Sequence, residues 1–273
     1  MFECVINISE GRDQQLLERL SLAAGASLRD RHADTFHNRS VFTMINGAPE
    51  LLVDVRHLVE AALRSIDLEL HDGVHPRLGV VDVVPFVALA PNLASSAVRM
   101  RDAFAQWVAE SHHLPVFLYG PLAQGERSLP YVRSHAFKGL APDFGPPVGD
   151  VHQGAVVVGA RDILVAWNLW LSHVSLDRAQ FIAKMVRRPG VRTLGLQVGD
   201  QVQVSCNLFD LSLVTPSQVY DQVAANLPSP GVIERAELVG LVPRSLLQRE
   251  DPERWRQLGF SDDATIESRL EGY

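Results

Sequence analysis

Cysteine is scarce in this chain, since Cys4 and Cys206 are the two cysteines among 273 residues. Both lie in apolar, strand-like stretches, FECVIN and VQVSCNL, which favour buried thiols in a reducing compartment over a disulfide framework. No stretch approaches the ~20 uninterrupted apolar residues that a membrane-spanning helix needs. The sequence MFECVINISEGRD has no basic region followed by an apolar run, so it is unlike a secretion signal. We therefore expect a cytoplasmic protein that does not bind membranes.

Basic residues are also few, because 25 lysines and arginines stand against 32 aspartates and glutamates, a net charge of -7. This balance argues against nucleic-acid binding, which needs a basic face to neutralise phosphates. The sequence has no P-loop, no dinucleotide fingerprint and no GxSxG elbow. An anionic small molecule remains a suitable ligand wherever arginine is locally concentrated.

Hydrophobic spacing alternates between strand-like and helical stretches along the first half of the chain. The strand-like stretches are ECVINI, SVFTMI, VVDVVPFVAL and PVFLYG, and the helical ones are GRDQQLLERLSLAAG, APELLVDVRHLVEAALRSI and PNLASSAVRMRDAFAQWVAESHH. The order is close to the βαββαβ pattern of a split sheet with helices packed on one face. Residues 122–154 follow as a long irregular segment, rich in proline and glycine, that suits a binding loop or a mobile connector.

The second half repeats the rhythm. The strand-like runs AVVVGA and ILVAWNLWL flank residues 159–162, where we place the domain boundary. After ILVAWNLWL, a hairpin around Gly199 and Asp200 and the stretch GVIERAELVGLVP read as strands, and LDRAQFIAKMVRR and PSQVYDQVAANL read as helices. We therefore predict an α/β (α+β) fold of two ferredoxin-like βαββαβ subdomains, with helices on one face of mixed sheets. The predicted subdomains are residues 1–160 and 161–273, and the charged tail from Arg249 is expected to form a peripheral helix.

The stretch HDGVHPRLGVVDVVPF holds groups that move protons, directly before a buried strand. His71 and His75 have the i, i+4 spacing of a helical zinc pair, but Pro76 and Gly73 disfavour a helix there. We therefore expect no metal site. An imidazole held in an extended turn at the mouth of a strand can take and give a proton at neutral pH, although a surface histidine that caps a turn has the same pattern.

Arginine and aspartate follow His75 in the same stretch. If the chain is extended, the guanidinium of Arg77 can bind a carboxylate through two hydrogen bonds. Asp82 lies within the strand, where it either orients a partner or has a structural role. A second polar cluster, HADTFHNRSVF, holds Asp34, His37, Asn38 and Arg39 in what we expect to be a loop before a strand.

Two further motifs have both a structural and a functional interpretation. In NISEGR, Asn7 or Ser9 suits the cap of the following helix, yet exposed amides at the same place also suit an anion. In APDFGP, Asp143 and Phe144 suit either contacts to a flat heteroaromatic ligand or the anchor of a packed loop.

Taken together and in order, several stretches resemble the formiminotransferase family. They are ECVINISEGR, HNRSVFT, HPRLGVVDVVPF, VFLYG, APDFGP, GAVVVGARD and LVGLVP. The resemblance covers essentially the whole chain and implies two α/β subdomains with folate between them, usually in a homodimer. It also implies transfer of a formimino group from N-formimino-L-glutamate to N5 of tetrahydrofolate, a step of histidine breakdown, with tetrahydrofolate as co-substrate.

The resemblance also assigns site residues. It places the catalytic histidine in the HPR motif, here His75, and folate contacts on the loop from Gly145 to Gly154. His32 stands where mammalian members carry an aspartate, so we expect Asp34 to orient the imidazole instead. We expect Arg39 and Arg77 to bind substrate carboxylates. The other expected folate or substrate contacts are Asn7, Asn38, Asp143, Phe144, Gly145, Pro146 and Gly154.

Other functions remain open on the sequence alone. A related enzyme would transfer a formyl group with 5-formyltetrahydrofolate. A folate-binding protein without catalysis would not depend on His75, and the change at His32 is the feature that favours it. A partner-binding module would show an exposed apolar patch and no folate affinity.

Overall fold

A computed structural model describes residues 1–73 and 76–271 of the chain. The chain divides into two compact units, Met1–Ile163 and Leu164–Tyr273. No helix of the described residues is long and apolar enough to cross a membrane.

The first unit alternates strands and helices in chain order. Its elements are β1 (Phe2–Ile8), α1 (Gln14–Ala23), β2 (Leu28–Asp34), β3 (Arg39–Asn46), α2 (Ala48–Ser65), β4 (Val81–Ala88), α3 (Ala94–His112), β5 (Val116–Leu122), β6 (Gly125–Arg127), α4 (Leu129–His135) and β7 (Val156–Arg161). In the described part of this unit the strands form a mixed sheet in the order β2-β3-β1-β4-β7-β5-β6.

The first four strands of this sheet form a split βαββαβ arrangement. Neighbours in the series β2-β3-β1-β4 run antiparallel. β7 then adds parallel to β4, and β5 adds parallel to β7, which extends the sheet beyond the basic motif. The predicted fold class is confirmed here, although the sheet is larger than a single ferredoxin-like motif.

Side-chain alternation in the strands decides which face the helices cover. Cys4, Ile6 and Ile8 of β1 are fully buried in the main core of the unit, together with Leu17 of α1 and Val55 of α2. The short helix α4 packs on the other face of the sheet. There its Val132 joins a smaller apolar cluster that includes residues of β4, β5 and β7.

Two local expectations for the first unit are corrected. Residues 28–34 form strand β2, so Asp34 ends one strand and Arg39 begins the next, and only the turn between them is a loop. The sequence LRDRHAD shows no alternation because β2 lies at one end of the sheet, where charged side chains are common. Residues 122–154 are not wholly irregular either, since they contain β6 and α4.

The described part of the second unit contains a βαββαβ motif with a four-stranded sheet. Its elements are β8 (Val165–Ser172), α5 (Leu176–Val186), β9 (Val191–Val198), β10 (Gln201–Leu208), α6 (Pro216–Ala225), β11 (Val232–Val239), α7 (Arg244–Leu247) and α8 (Ile266–Glu271). The strands pair antiparallel in the order β11-β8-β10-β9. The predicted ferredoxin-like pattern is therefore confirmed for this half.

The charged tail contributes to this second core, and only its short helix α8, Ile266–Glu271, corresponds to the expected peripheral helix. Leu258 and Phe260 are buried in the same apolar cluster as Trp167. The indole N–H of Trp167 donates to the carbonyl of Leu258 at 2.8 Å. A few apolar residues among many charged ones anchor the tail. The sequence prediction missed this because it considered only the overall charge of the segment.

Candidate active site

The central residue of the expected site, His75, lies outside the described residues. The site is therefore built from the segments on either side of it, residues 71–73 and 76–82. The second segment enters β4 and is held by the end of β1. Ser9 donates its hydroxyl to the carbonyl of Gly79 at 2.8 Å, and its amide donates to the carbonyl of Val80 at 2.8 Å.

The motif NISEGR has a structural role that differs from both earlier interpretations. Asp13, and neither Asn7 nor Ser9, caps α1, because its side chain accepts from the amide of Leu16 at 2.9 Å. The amide of Gly11 donates to Oδ1 of Asn38 at 2.9 Å. The amides of Arg12 and Asp13 both donate to Glu10, at 2.6 and 2.9 Å. These amides have acceptors within the chain, which favours a structural role for this turn.

Asn38 connects three loops at the site. Its backbone is left-handed, with φ of 46°, which asparagine tolerates better than most residues. Besides accepting from Gly11, its side chain donates to the carbonyl of Asp72 at 2.8 Å. Its own carbonyl lies 3.0 Å from Nε2 of His71. The predicted binding residue Asn38 therefore uses these polar groups to hold the loop before His75.

His71 and Arg77, which precede and follow His75 in the sequence, contact each other. A guanidinium nitrogen of Arg77 contacts the His71 ring, and another donates to the carbonyl of His37 at 3.2 Å. Burial, followed by the charge of Arg77, lowers the pKa of His71 below its ordinary value. The ring is therefore neutral at pH 7, and the contacts suit a tautomer in which Nε2–H donates to Asn38 and Nδ1 accepts from Arg77.

Asp34, the expected orienting carboxylate, is the last residue of β2, directly before the turn to β3. Its Oδ1 accepts from the amides of Phe36 and His37, both at 2.8 Å. Its Oδ2 is 3.9 Å from Nε2 of His37. Asp34 thus shapes the turn and lies beside a second histidine, His37, which is 9% exposed.

The guanidinium of Arg39 lies against a buried carboxylate. Arg39 donates to Oδ1 of Asn7 at 3.1 Å and forms a close ion pair with Asp82, whose side chain is fully buried. Arg133 of α4 pairs with the same carboxylate at 2.6 Å. Arg133 was not expected from the sequence, and the available signal was Asp82 itself, a charge within the otherwise apolar run VVDVVPF.

Arginine is locally concentrated around residues 71–82. Guanidinium groups of the described side chains come from Arg12, Arg39, Arg77 and Arg133. Carboxylates come from Glu10, Asp34, Asp72 and Asp82. The local charge is close to balanced, whereas the whole chain carries -7. A neighbourhood of balanced charge repels an anionic small molecule less than the net charge of the whole chain would.

The motif APDFGP anchors its loop to β5. Asp143 accepts from the amide of Leu118 at 2.7 Å and pairs with Arg127 at 2.6 Å. The carbonyl of Phe144 accepts from the amide of Val116 at 2.9 Å, and its ring packs against the main core. Gly145 has φ of 81°, and a Cβ there would lie 2.1 Å from the carbonyl oxygen of Leu114. Pro146 follows and is half-buried.

An open groove of about 600 Å³ lies along the loop after α4. Its lining is mostly apolar and includes Phe137, Gly139, Leu140, Ala141, Pro142, Pro147, Val148, Gly149, Asp150 and Gly154. Phe137 is 44% exposed and Val148 is 73% exposed, so apolar surface is available to a ligand. Such a lining suits a flat ring. Among the expected folate contacts, Gly154 lines this groove.

The groove and the segment after His75 are joined by backbone pairing. Gly79 bridges Gly154, and the amide of Ala155 donates to the carbonyl of Leu78 at 2.9 Å. The expected site residues therefore form two connected groups. Asn7, Asn38, Arg39 and Arg77 lie around residues 71–82, and the residues of APDFGP with Gly154 lie along the loop. Within the described ranges, no group of three or more His, Cys, Asp or Glu side chains is arranged to hold a metal ion.

A family model described as "Formiminotransferase domain, N-terminal subdomain" matches residues 1–161. Among curated proteins, a glutamate formimidoyltransferase of Thermoplasma acidophilum is 31% identical, over 99% of this chain and 97% of that protein. A glutamate formimidoyltransferase of Streptococcus pyogenes is 32% identical over 90% of each chain.

Bifunctional proteins are also similar to this chain. The formimidoyltransferase-cyclodeaminase of Sus scrofa is 33% identical over 90% of this chain and 51% of that protein. The chain therefore spans about half the length of these relatives and nearly the full length of the archaeal one.

Proposed function

The chain belongs to the formiminotransferase family, and we propose on that basis that it transfers a formimino group from N-formimino-L-glutamate to N5 of tetrahydrofolate. The products are 5-formiminotetrahydrofolate and L-glutamate. The observation that carries this proposal is the similarity to a named glutamate formimidoyltransferase over 97% of that protein's length. The two compact units would then be its N-terminal and C-terminal subdomains.

His75 is the proposed general base and acid. N5 of tetrahydrofolate attacks the amidine carbon and loses its proton, which the imidazole accepts. The bond between that carbon and the glutamate nitrogen then breaks, and the imidazole returns the proton to the leaving nitrogen. One group with a pKa near neutrality serves both steps, because the proton gained in the first is given in the second.

The residues around segment 71–82 would bind the donor and orient the imidazole. Asp34 is the proposed orienting carboxylate. Arg39 and Arg77 are the proposed partners of substrate carboxylates, supported by the local concentration of guanidinium groups in an acidic chain. Asn7 and Asn38 complete this group, in positions fixed by the contacts they make to Arg39 and to Asp72.

The loop that follows APDFGP would bind folate, with Asp143, Phe144, Gly145, Pro146 and Gly154 as proposed contacts. The mostly apolar groove along this loop supports the proposal, because a pterin or aminobenzoyl ring fits such a lining. A cytoplasmic homodimer acting in histidine breakdown is the setting that we propose for this activity.

The experiment that tests this function compares donors. Purified protein is incubated with tetrahydrofolate and N-formimino-L-glutamate, and in parallel with 5-formyltetrahydrofolate and glutamate, and released or consumed glutamate is quantified by chromatography. We expect release of glutamate from N-formimino-L-glutamate with at least tenfold higher kcat/KM than any formyl transfer. Faster formyl transfer would show that the transferred group is formyl and contradict the proposal. Folate binding without either reaction would indicate a folate-binding protein without catalysis.

A further inference from the structure

Asp82 is a buried carboxylate that the proposed reaction does not use. Its Oδ1 accepts from the amide of Leu78 at 2.9 Å and from Arg133 at 3.3 Å, and its Oδ2 accepts from Arg133 at 2.6 Å. Arg39 forms a further ion pair with Oδ2. Burial alone would raise the pKa of Asp82, but the two arginines outweigh it and hold this pKa well below its usual range. Asp82 is therefore ionised at neutral pH.

Arg133 links this carboxylate to the backbone next to His75. It extends from α4, and the nitrogen that contacts Oδ1 of Asp82 also donates to the carbonyl of Pro76 at 3.2 Å. The pair therefore holds the carbonyl of Pro76 through Arg133 and the amide of Leu78 through Asp82. Both restraints lie within three residues of His75 in the sequence.

We propose that Asp82 and Arg133 are positioning residues that fix the backbone of residues 76–78, the segment that follows the proposed catalytic histidine in the sequence. This inference rests on the proposed function of His75. Proline already limits the backbone of the residue before it. On the following side, the bonds to the carbonyl of Pro76 and from the amide of Leu78 restrain the segment.

Charge neutralisation alone does not require Arg133. Arg39 already pairs with Asp82, and the side chain of Arg39 is 13% exposed while that of Arg133 is 22% exposed. Arg133 differs from Arg39 in that it also donates a hydrogen bond to the backbone carbonyl of Pro76. Loss of Arg133 therefore leaves Asp82 paired, so a variant is expected to fold.

The first test is kinetic and uses Arg133→Ala, Arg133→Lys and a matched control. Arg31→Ala is the control, because Arg31 is also 22% exposed and pairs with a glutamate, Glu18, away from segment 76–82. We expect Arg133→Ala to lower kcat about 10- to 100-fold, the loss associated with misplacement of a reacting group by about 1 Å. The KM for each substrate should change less than about threefold.

Arg133→Lys should recover part of the lost kcat. Its ammonium can still pair with Asp82, but it cannot form the forked contact that reaches Pro76 as well. Arg31→Ala should retain the kcat of the wild type. An increase in KM for N-formimino-L-glutamate with unchanged kcat would overturn the proposal, because it would make Arg133 a substrate-binding residue.

The second test does not depend on turnover. Hydrogen exchange of the Leu78 amide, followed by mass spectrometry or NMR, should be at least tenfold faster in Arg133→Ala than in Arg31→Ala. Asp82→Asn should accelerate the same amide if that variant folds. Unchanged exchange in Arg133→Ala, or unchanged kcat, overturns the positioning role while the wild type still turns over. A wild type without turnover overturns the proposed function, and the positioning role with it.

Discussion

Nδ1 of His152 lies 3.0 Å from Oδ1 of Asp67, a contact between residues 85 positions apart in the sequence. The backbone reinforces it, since the carbonyl of His152 accepts from the amide of Leu68 at 2.8 Å. The contact joins the loop that carries the groove to the short turn before His71. It also changes the acid strength of both groups, raising the pKa of His152 and lowering that of Asp67.

The first prediction concerns this pair. The pKa of His152 should lie above the ordinary histidine value of 6.5, because the Asp67 hydrogen bond and then its charge stabilise the protonated ring. NMR titration of the His152 ring protons measures it, and Asp67→Asn should lower it. The pair stabilises the fold between the lowered pKa of Asp67 and the raised pKa of His152, because the carboxylate is neutral below the first and the ring is neutral above the second. An unchanged titration in Asp67→Asn would contradict the assignment.

The second prediction concerns Glu3, which is 3% exposed. Burial raises its pKa to about 7, against the opposing charge of Arg161. The folded state therefore holds the proton more tightly, so the free energy of unfolding should fall as pH rises from about 4.5 to about 7. Glu3→Gln should remove this dependence and, near pH 8, be more stable than the wild type by at most about 3 kcal/mol.

Urea unfolding at several pH values measures this difference. Glu18→Gln is the control, because its side chain is 68% exposed, and it should follow the pH dependence of the wild type. A Glu3→Gln protein that loses stability with rising pH as steeply as the wild type would show that Glu3 is not the titrating group.

The third prediction concerns Gly154, a proposed folate contact with φ of 73°. A Cβ there would lie 2.2 Å from the carbonyl oxygen of Leu78. Gly154→Ala should therefore lower the free energy of unfolding by about 2–4 kcal/mol, through backbone strain and the clash together. Gly139→Ala is the control, because Gly139 also has positive φ but no atom within 4 Å of an added Cβ. Equal losses in both variants would exclude the close approach as the cause.

The fourth prediction concerns Asp13, the N-cap residue of α1. Asp13→Ala should cost about 1 kcal/mol, because the amide of Leu16 loses its acceptor. Asp13→Asn keeps an acceptor at this position and should lose much less. Thermal unfolding of the three proteins measures the difference, and equal stability of Asp13→Ala and wild type would show that the cap is supplied elsewhere.

Most of the fold follows from hydrophobic periodicity. Buried strands such as β4 and amphipathic helices such as α2 are visible because their apolar residues recur at the spacing of the element. β2 was missed because LRDRHAD has charged side chains on a strand at one end of the sheet. The packing of the tail was not predicted because it depends on two buried residues, Leu258 and Phe260, within a mostly charged segment.

The candidate site was predictable in part for a different reason. Asn38, Arg39 and Arg77 stand in short motifs, and the structure brings them around the same segment. The link between Asp82 and Arg133 joins residues 51 positions apart, and no local spacing relates them. A charge within an apolar strand indicates that a partner exists, but it does not say which residue supplies it.

The central claim is that His75 transfers the proton during formimino transfer, and steady-state kinetics of His75→Ala test it most directly. His57→Ala is the matched control, because His57 is an exposed histidine of α2. With N-formimino-L-glutamate and tetrahydrofolate, we predict that His75→Ala lowers kcat about 100-fold or more while His57→Ala keeps the wild-type rate. Turnover by His75→Ala within about twofold of the wild type would contradict the account, since a general base of this kind contributes about 100-fold or more.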